Sequence, residues 1–259
     1  MDIISKSVRA EYKIKKRSAK AVYKDKKKAA KSEYTSKPEI GRKPKPASPS
    51  DPPRRSVIEE VGNAVTHGVG AILSVIAYAF TLRASEKREE VFSATVYFAG
   101  LFLLFSMSCL YHSFRSGSKV KRLFRRFDYS SIYLLIGATY TPILLCFLGG
   151  AYGKIFCAAQ WAVIAAGVTF ICVFGPERFK KIHFALYIAL GWSALLFLPE
   201  TLSANLAFSL WILFGGVIYS LGIIPFVIKG KAAHFLWHFF VLAGAAAQWA
   251  GIYVHIFLA

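Results

Sequence analysis

Residues 91–111 read VFSATVYFAGLFLLFSMSCLY and contain no charged side chain. The stretch is about as long as the roughly 20 apolar residues that cross a hydrocarbon core as a helix. Six further stretches resemble it, and none alternates polar and apolar residues with a period of two, as a membrane barrel would. They are residues 65–83, 128–148, 154–174, 182–199, 206–227 and 234–258. The sequence therefore predicts an all-α membrane protein, a seven-transmembrane helix bundle.

The composition agrees with this class of protein. Hydrophobic residues make up 55% of the 259 residues, 22 of them Phe, and the mean hydropathy is +0.44. These values exceed what a soluble core needs. We therefore expect a multi-pass protein of the cell membrane, and the predicted seven-helix domain covers residues 56–259.

Residues 1–55 differ from the rest of the chain, because they hold 18 Lys and Arg against 6 Asp and Glu, with few large apolar residues. This pattern predicts a disordered, basic cytoplasmic tail. Basic blocks such as residues 24–28 could bind anionic lipid headgroups, at about 1 kcal/mol for each cation near the surface. A tail that is only solvated, and sets the topology, is the alternative. Nucleic acid is not an expected partner, because the basic run has no aromatic platform and is tethered to a membrane domain.

The distribution of Lys and Arg between the predicted spans sets the orientation. With the N-terminus inside, the inner loops hold eleven of these cations and the outer loops hold four. Positive residues are retained on the cytoplasmic side. The sequence thus predicts an inside N-terminus and an outside C-terminus.

This orientation brings polar residues of four helices to one layer near the inner face. Such residues cost about 2.5–3.5 kcal/mol each on insertion scales and normally face a partner inside the bundle. Spacings of three and four place several of them on shared helix faces. The residues are Glu60, Asn63, His67, Ser108, His112, Asp128, His234 and His238.

A zinc ion is the partner that these residue types favour. His234 and His238 are one turn apart and could both reach one ion, and His112 could add a third imidazole, which leaves a fourth position open. Asp128 is the candidate for orienting or deprotonating a water, and Ser108 is a candidate hydrogen-bond donor to Asp128 or to a ligand ring. Each histidine alone could instead be a packing residue at a helix end.

Several motifs of the chain resemble those of the bacterial hemolysin III family, which is grouped with the progestin and adipoQ receptors and the alkaline ceramidases. They are EVGNAVTH at 60–67, SCLYH at 108–112, FDYSSIYLLIGATYTP at 127–142, GW at 191–192 and HFLWH at 234–238. The resemblance implies a zinc ion near the cytoplasmic face. His112, His234 and His238 would hold it, Asp128 would contact it through water, and Ser108 would lie nearby.

We expect membrane lipids to be the partners of this protein. Two hypotheses about its function follow. The first is zinc-dependent hydrolysis of a lipid amide or ester, with a role in lipid homeostasis or cytolysis. The second is a membrane-state sensor or receptor in which the zinc is structural. A transporter is a weaker third option, because Asp128 is the only acidic residue predicted within a span and no broken helix is predicted.

Overall fold

Helices account for all the regular structure that the computed structural model describes. It covers residues 2–36, 52–53, 55–228, 230 and 232–259, with the backbone alone for residues 2–10 and 30–36. The helices are α1 (Asp2–Ser36), α2 (Val57–Ala84), α3 (Arg88–Ser113), α4 (Lys119–Pro142), α5 (Gly150–Phe174), α6 (Lys180–Gly191), α7 (Leu198–Ala204), α8 (Leu206–Val227) and α9 (Ala233–Ile252). Single π-helical segments, Ile143–Leu148 and Tyr253–Phe257, continue α4 and α9.

Six of these helices are long and apolar enough to cross a membrane. They are α2, α3, α4 with its π-helical segment, α5, α8, and α9 with its π-helical segment. The prediction of an all-helical, multi-pass membrane protein is confirmed. The inside location of the N-terminus stays a prediction, and two of the cations counted for it, Lys229 and Lys231, lie outside the described residues.

The fifth predicted span, residues 182–199, is interrupted, whereas the sequence predicted no broken helix. It consists of α6, a 3-10 turn at Ser193–Leu196 and the first residues of α7. Tyr140 of α4 satisfies the interrupted backbone: its hydroxyl donates to the Gly191 carbonyl and accepts from the Ala194 amide, 3.2 Å away. Irregular backbone at membrane depth requires such partners inside the protein.

The N-terminal tail also differs from its prediction. Asp2–Ser36 forms one α-helix, and its residues 11–29 are exposed. The segment contains neither Gly nor Pro, and Lys and Ala, which favour helices, dominate it. Glu11 and Lys15 add an ion pair one turn apart, at 3.1 Å. Residues 37–51 and 54 of the predicted tail lie outside the described residues, and its binding to anionic headgroups stays a prediction.

The spanning helices pack mainly as sequence neighbours. Helix α2 packs on α3, α3 on α4, and α8 on α9, and α2 also contacts α9. This last contact brings the start of the membrane domain beside its final helix. The N-terminal half of α2, the C-terminal end of α3, the start of α4 and the start of α9 therefore meet in one layer.

Gly100 allows α3 and α4 to approach closely. A Cβ atom there would lie 2.3 Å from the Cβ of Ala138 and 3.2 Å from the Leu134 carbonyl oxygen. Small residues at such crossings let backbones pack in membranes, where dispersion forces hold helices together.

We expect Gly100→Ala to lower the unfolding temperature of the detergent-purified protein, with a loss of about 1–3 kcal/mol from overpacking. Gly216→Ala is the matched control, because its added Cβ would be 3.8 Å from the nearest side-chain atom, an ordinary contact. Equal unfolding temperatures for the two variants would show that the α3–α4 crossing tolerates a methyl group.

Candidate metal centre

Two helix ends carry the three histidines of the predicted metal site. His112 lies in the last turn of α3, and His234 and His238 lie in the first two turns of α9. His112 and His238 are buried, and His234 is half-buried. The helical spacing of four places His234 and His238 on one side of α9, which packs on α2 beside α3.

The ring nitrogens of these histidines converge on one point. His234 Nε2 lies 3.4 Å from His112 Nε2 and 3.3 Å from His238 Nε2. One ligand atom from each histidine lies within 4.8 Å of the others. Two nitrogens bound to zinc at about 2.05 Å, with a tetrahedral angle between them, are about 3.3 Å apart. The spacing in the structure is therefore that of ligands around a small metal ion.

The Nδ1 atoms of His112 and His238 make hydrogen bonds that fix which ring nitrogen carries the proton. His112 Nδ1 donates to the carboxylate of Glu60 at 2.6 Å, and His238 Nδ1 donates to the backbone carbonyl of Asn63 at 3.2 Å. The Asn63 amide nitrogen and the Thr66 hydroxyl lie farther from these two Nδ1 atoms, both at 3.4 Å. The nearer carboxylate and carbonyl oxygens only accept, which assigns the protons to the Nδ1 atoms. The Nε2 atoms of His112 and His238 then both face His234 Nε2. The three residues together could hold a metal ion.

The predicted catalytic residues lie beside the histidines. Asp128 of α4 and Ser108 of α3 both line the same cavity as His234 and His238. The hydroxyl of Ser108 interacts with the carboxylate of Asp128, whose charge also interacts with His112. Among the described residues, the group close enough to share one ion consists of the three histidines. Asp128 is therefore a neighbour of the three-histidine group and not a member of it.

His67 of α2, the remaining polar residue of the predicted layer, packs against a ligand ring. Its imidazole is buried and stacks on that of His238, with ring centroids 3.7 Å apart and an interplanar angle of 19°. The ring of Phe105 contacts it edge-on at 5.2 Å. His67 therefore supports the orientation of His238 and is not part of the three-histidine group.

The other two histidines have partners elsewhere. His183 of α6 is buried, and its Nδ1 is 3.0 Å from the hydroxyl of Tyr133. His255 pairs with Asn205, at 3.3 Å between Nδ1 and Nδ2. Neither residue belongs to the three-histidine group.

A mainly apolar cavity of about 490 Å³ has His234 and His238 of the three histidines in its wall. Helices α2, α3, α4, α6, α8 and α9 line it, and its walls include Tyr140 and Trp192 at the interrupted fifth span. On α9 the lining extends from His234 to Gln248, which are fourteen residues and hence about 21 Å apart along the helix axis. The cavity therefore leads from the polar layer deep into the bundle.

Two residues of the site were not identified from the sequence. Lys121, counted only as a loop cation, is buried and donates to Glu60 at 3.0 Å. Arg55, assigned to the tail, lines the cavity and interacts electrostatically with Asp128 and His234. A signal existed for Lys121, because spacings of four and three place it on one face of α4 with Arg125 and Asp128. No pattern distinguished Arg55 from the preceding cations.

Comparison with known proteins agrees with this arrangement. A model of the family described as "Haemolysin-III related" matches residues 55–249. The chain belongs to the haemolysin III family. The matched region of this family begins at Arg55 and contains every residue of the centre described above.

Individual relatives support the same membership. Hemolysin-3 of Bacillus cereus is 41% identical over 197 residues, which cover 73% of this chain and 88% of that protein. The Hemolysin-3 homolog of Bacillus subtilis (strain 168) is 34% identical over 200 residues, or 74% and 92% of the two chains. The human protein named monocyte to macrophage differentiation factor is 27% identical over 205 residues, or 77% and 85%. The family resemblance predicted from the motifs is confirmed.

Proposed function

We propose that this haemolysin III family member is a zinc-dependent hydrolase that cleaves an amide or ester bond of a membrane lipid. One observation carries the proposal: three imidazole Nε2 atoms converge at the wall of an apolar cavity. His234 Nε2 lies 3.4 Å from that of His112 and 3.3 Å from that of His238. The known relatives are named for haemolysis or cell differentiation, so their names do not identify the reaction.

Zinc is the metal that the donor set favours. Three neutral imidazoles suit zinc, and a three-histidine set leaves a coordination position for a water or a substrate. Glu60 and the Asn63 carbonyl hold two of the rings in the tautomer that such an ion requires. When bound by His112, His234 and His238, zinc would polarise a carbonyl group and lower the pKa of a water toward about 7.

The protein side chains would then position the water and move its proton. Asp128 lines the cavity beside the histidines, and its carboxylate would accept a proton from the attacking water. Ser108 interacts with that carboxylate, and its hydroxyl would hold it in the orientation needed. Asp128 would subsequently return the proton to the leaving amine or alcohol, which completes the hydrolysis without a covalent intermediate on the protein.

The cavity supports a lipid as the substrate. Its volume of about 490 Å³ is within the range of about 300–1,000 Å³ for ligand pockets, and its lining is mainly apolar. An acyl chain would lie along α9 toward Gln248, with the scissile bond at the histidines. The predicted orientation would place that bond near the inner headgroup layer, where lipid amides and esters lie.

The proposal is tested by turnover in vesicles. We expect the purified protein, reconstituted with an extract of bacterial lipids and zinc, to release free fatty acid or lyso-lipid that mass spectrometry detects. Removal of zinc by a chelator should stop the release, and His255→Ala, a histidine variant outside the centre, should keep it. Absence of any zinc-dependent product from a metal-loaded, folded protein would refute the hydrolase.

A sensor with a structural metal is the second candidate. It is supported by the contacts that join three helices at the centre, since Glu60 and Asn63 of α2 hold ligands from α3 and α9. In that case zinc would raise the unfolding temperature, and the vesicle experiment would yield no product.

The names of the bacterial relatives refer to haemolysis. A hydrolase would account for haemolysis through the lipid products that it releases, without forming a pore.

A further inference from the structure

Lys121 is buried among polar groups at the start of α4. Its side chain has 0% exposure, and its Nζ donates to Glu60 Oε1 at 3.0 Å and to the Phe114 carbonyl at 3.1 Å. The same ammonium group lies over the ring of Tyr111, 4.8 Å from the centroid. An ammonium group has three N–H donors, and the Glu60 and Phe114 oxygens accept from two of them.

Neither helix stability nor membrane topology explains this position. Lys121 lies in the first turn of α4, where the helix dipole disfavours a positive charge. Burying an ammonium group costs several kcal/mol unless it is paired. Lys119, two residues earlier, is exposed and could mark the topology equally well. The burial of Lys121 therefore points to a partner that needs it.

Glu60 is that partner, and it links Lys121 to the histidines. One of its carboxylate oxygens accepts from Lys121 at 3.0 Å, and the other accepts from His112 Nδ1 at 2.6 Å. With both oxygens engaged, the carboxylate cannot rotate without breaking a charge-assisted bond. The orientation of the carboxylate sets that of the His112 ring, whose Nε2 faces His234 at 3.4 Å.

We propose that Lys121 is a positioning residue for the metal centre and acts through Glu60. It holds the carboxylate in the orientation that directs the Nε2 lone pair of His112 at the ion. The inference rests on the metal centre proposed above and is independent of whether that centre performs hydrolysis. Partners in this outer position typically contribute 10–100-fold to metal affinity.

The test measures zinc affinity by competition with a chelator of known affinity in the detergent-purified full chain. We expect Lys121→Met to weaken zinc binding by about 10-fold or more. Lys119→Met makes the same substitution at the exposed neighbour and should bind zinc like the wild type. An unchanged affinity of the Lys121→Met protein would overturn the proposal.

A double-variant cycle separates the action through Glu60 from a general loss of structure. If Lys121 acts through Glu60, adding Lys121→Met to Glu60→Gln costs no further zinc affinity. An equal loss in both backgrounds would show that Lys121 acts through Phe114 or Tyr111, and would refute the relay. If Lys121→Met alone does not fold, Glu60→Gln tests the relay by itself: we expect it to weaken zinc binding, and an unchanged zinc affinity of the Glu60→Gln protein would overturn the proposal.

The outcomes also separate this inference from the proposed function. Zinc binding that follows the expected cycle, without lipid turnover, would uphold the positioning role and reject only the hydrolase. A wild-type protein that binds no zinc would overturn both.

Discussion

His238→Ala is expected to abolish stoichiometric zinc binding. His238 is 1% exposed, and its Nε2 lies 3.3 Å from that of His234. Its removal leaves two imidazoles, which is fewer than the three protein ligands of typical catalytic zinc sites. The loss of affinity should exceed the roughly 100-fold that removal of an outer partner can cost. Metal analysis of purified protein, as zinc per chain after dialysis against a weak chelator, measures this directly.

A histidine outside the centre provides the control. His255→Ala removes an imidazole that contacts Asn205, and it should keep the zinc content of the wild type. His112→Ala should behave like His238→Ala, because both remove a converging Nε2 atom. Full zinc content in the His238→Ala protein would contradict the three-histidine centre.

Asp128→Asn is expected to lower lipid hydrolysis by about 10²–10⁴-fold while zinc remains bound. The substitution keeps the shape of the side chain and removes the proton acceptor. Asp128 is outside the group that could share the ion, so its loss should leave metal content unchanged. Product release measured by mass spectrometry, beside zinc per chain from the same preparation, gives both quantities.

Glu200→Gln is the matched control for that change. It also exchanges a carboxylate for an amide, but at an exposed position on α7. The control should hydrolyse lipid at the wild-type rate. Unimpaired turnover in a zinc-loaded Asp128→Asn protein would exclude Asp128 as the proton acceptor, and a loss of zinc would make it part of the metal centre.

The features that depend on helical spacing and chain direction were predictable from the sequence. The one-turn spacing of His234 and His238 identified a shared helix face, and the alternation of inner and outer loops brought His112 and Asp128 to the same layer. Long charge-free stretches predicted the spanning helices, because a membrane requires about 20 apolar residues. These inferences need only helical periodicity and chain direction.

The contacts between helices that are distant in the sequence were not predictable in this way. In the sequence, the buried Lys121 cannot be distinguished from a solvated loop lysine. Only the packing of α2 against α3 and α4 brings Glu60 to it. The interruption after Gly191 is satisfied by Tyr140, 51 residues earlier in the chain. No local pattern encodes such partners, since they depend on how the helices pack.

The interruption of the fifth span has a consequence for biogenesis. Helix α6 has 12 residues and so a length of about 18 Å, well short of the roughly 30 Å of a hydrocarbon core. Because Tyr140 of α4 supplies the partners of the broken backbone, we expect this segment to be stable in lipid only once it is docked on α4. Helix α4 with its π-helical segment is long and apolar enough to cross a membrane by itself. We therefore expect α4 to enter the bilayer first and the segment after α5 to depend on it.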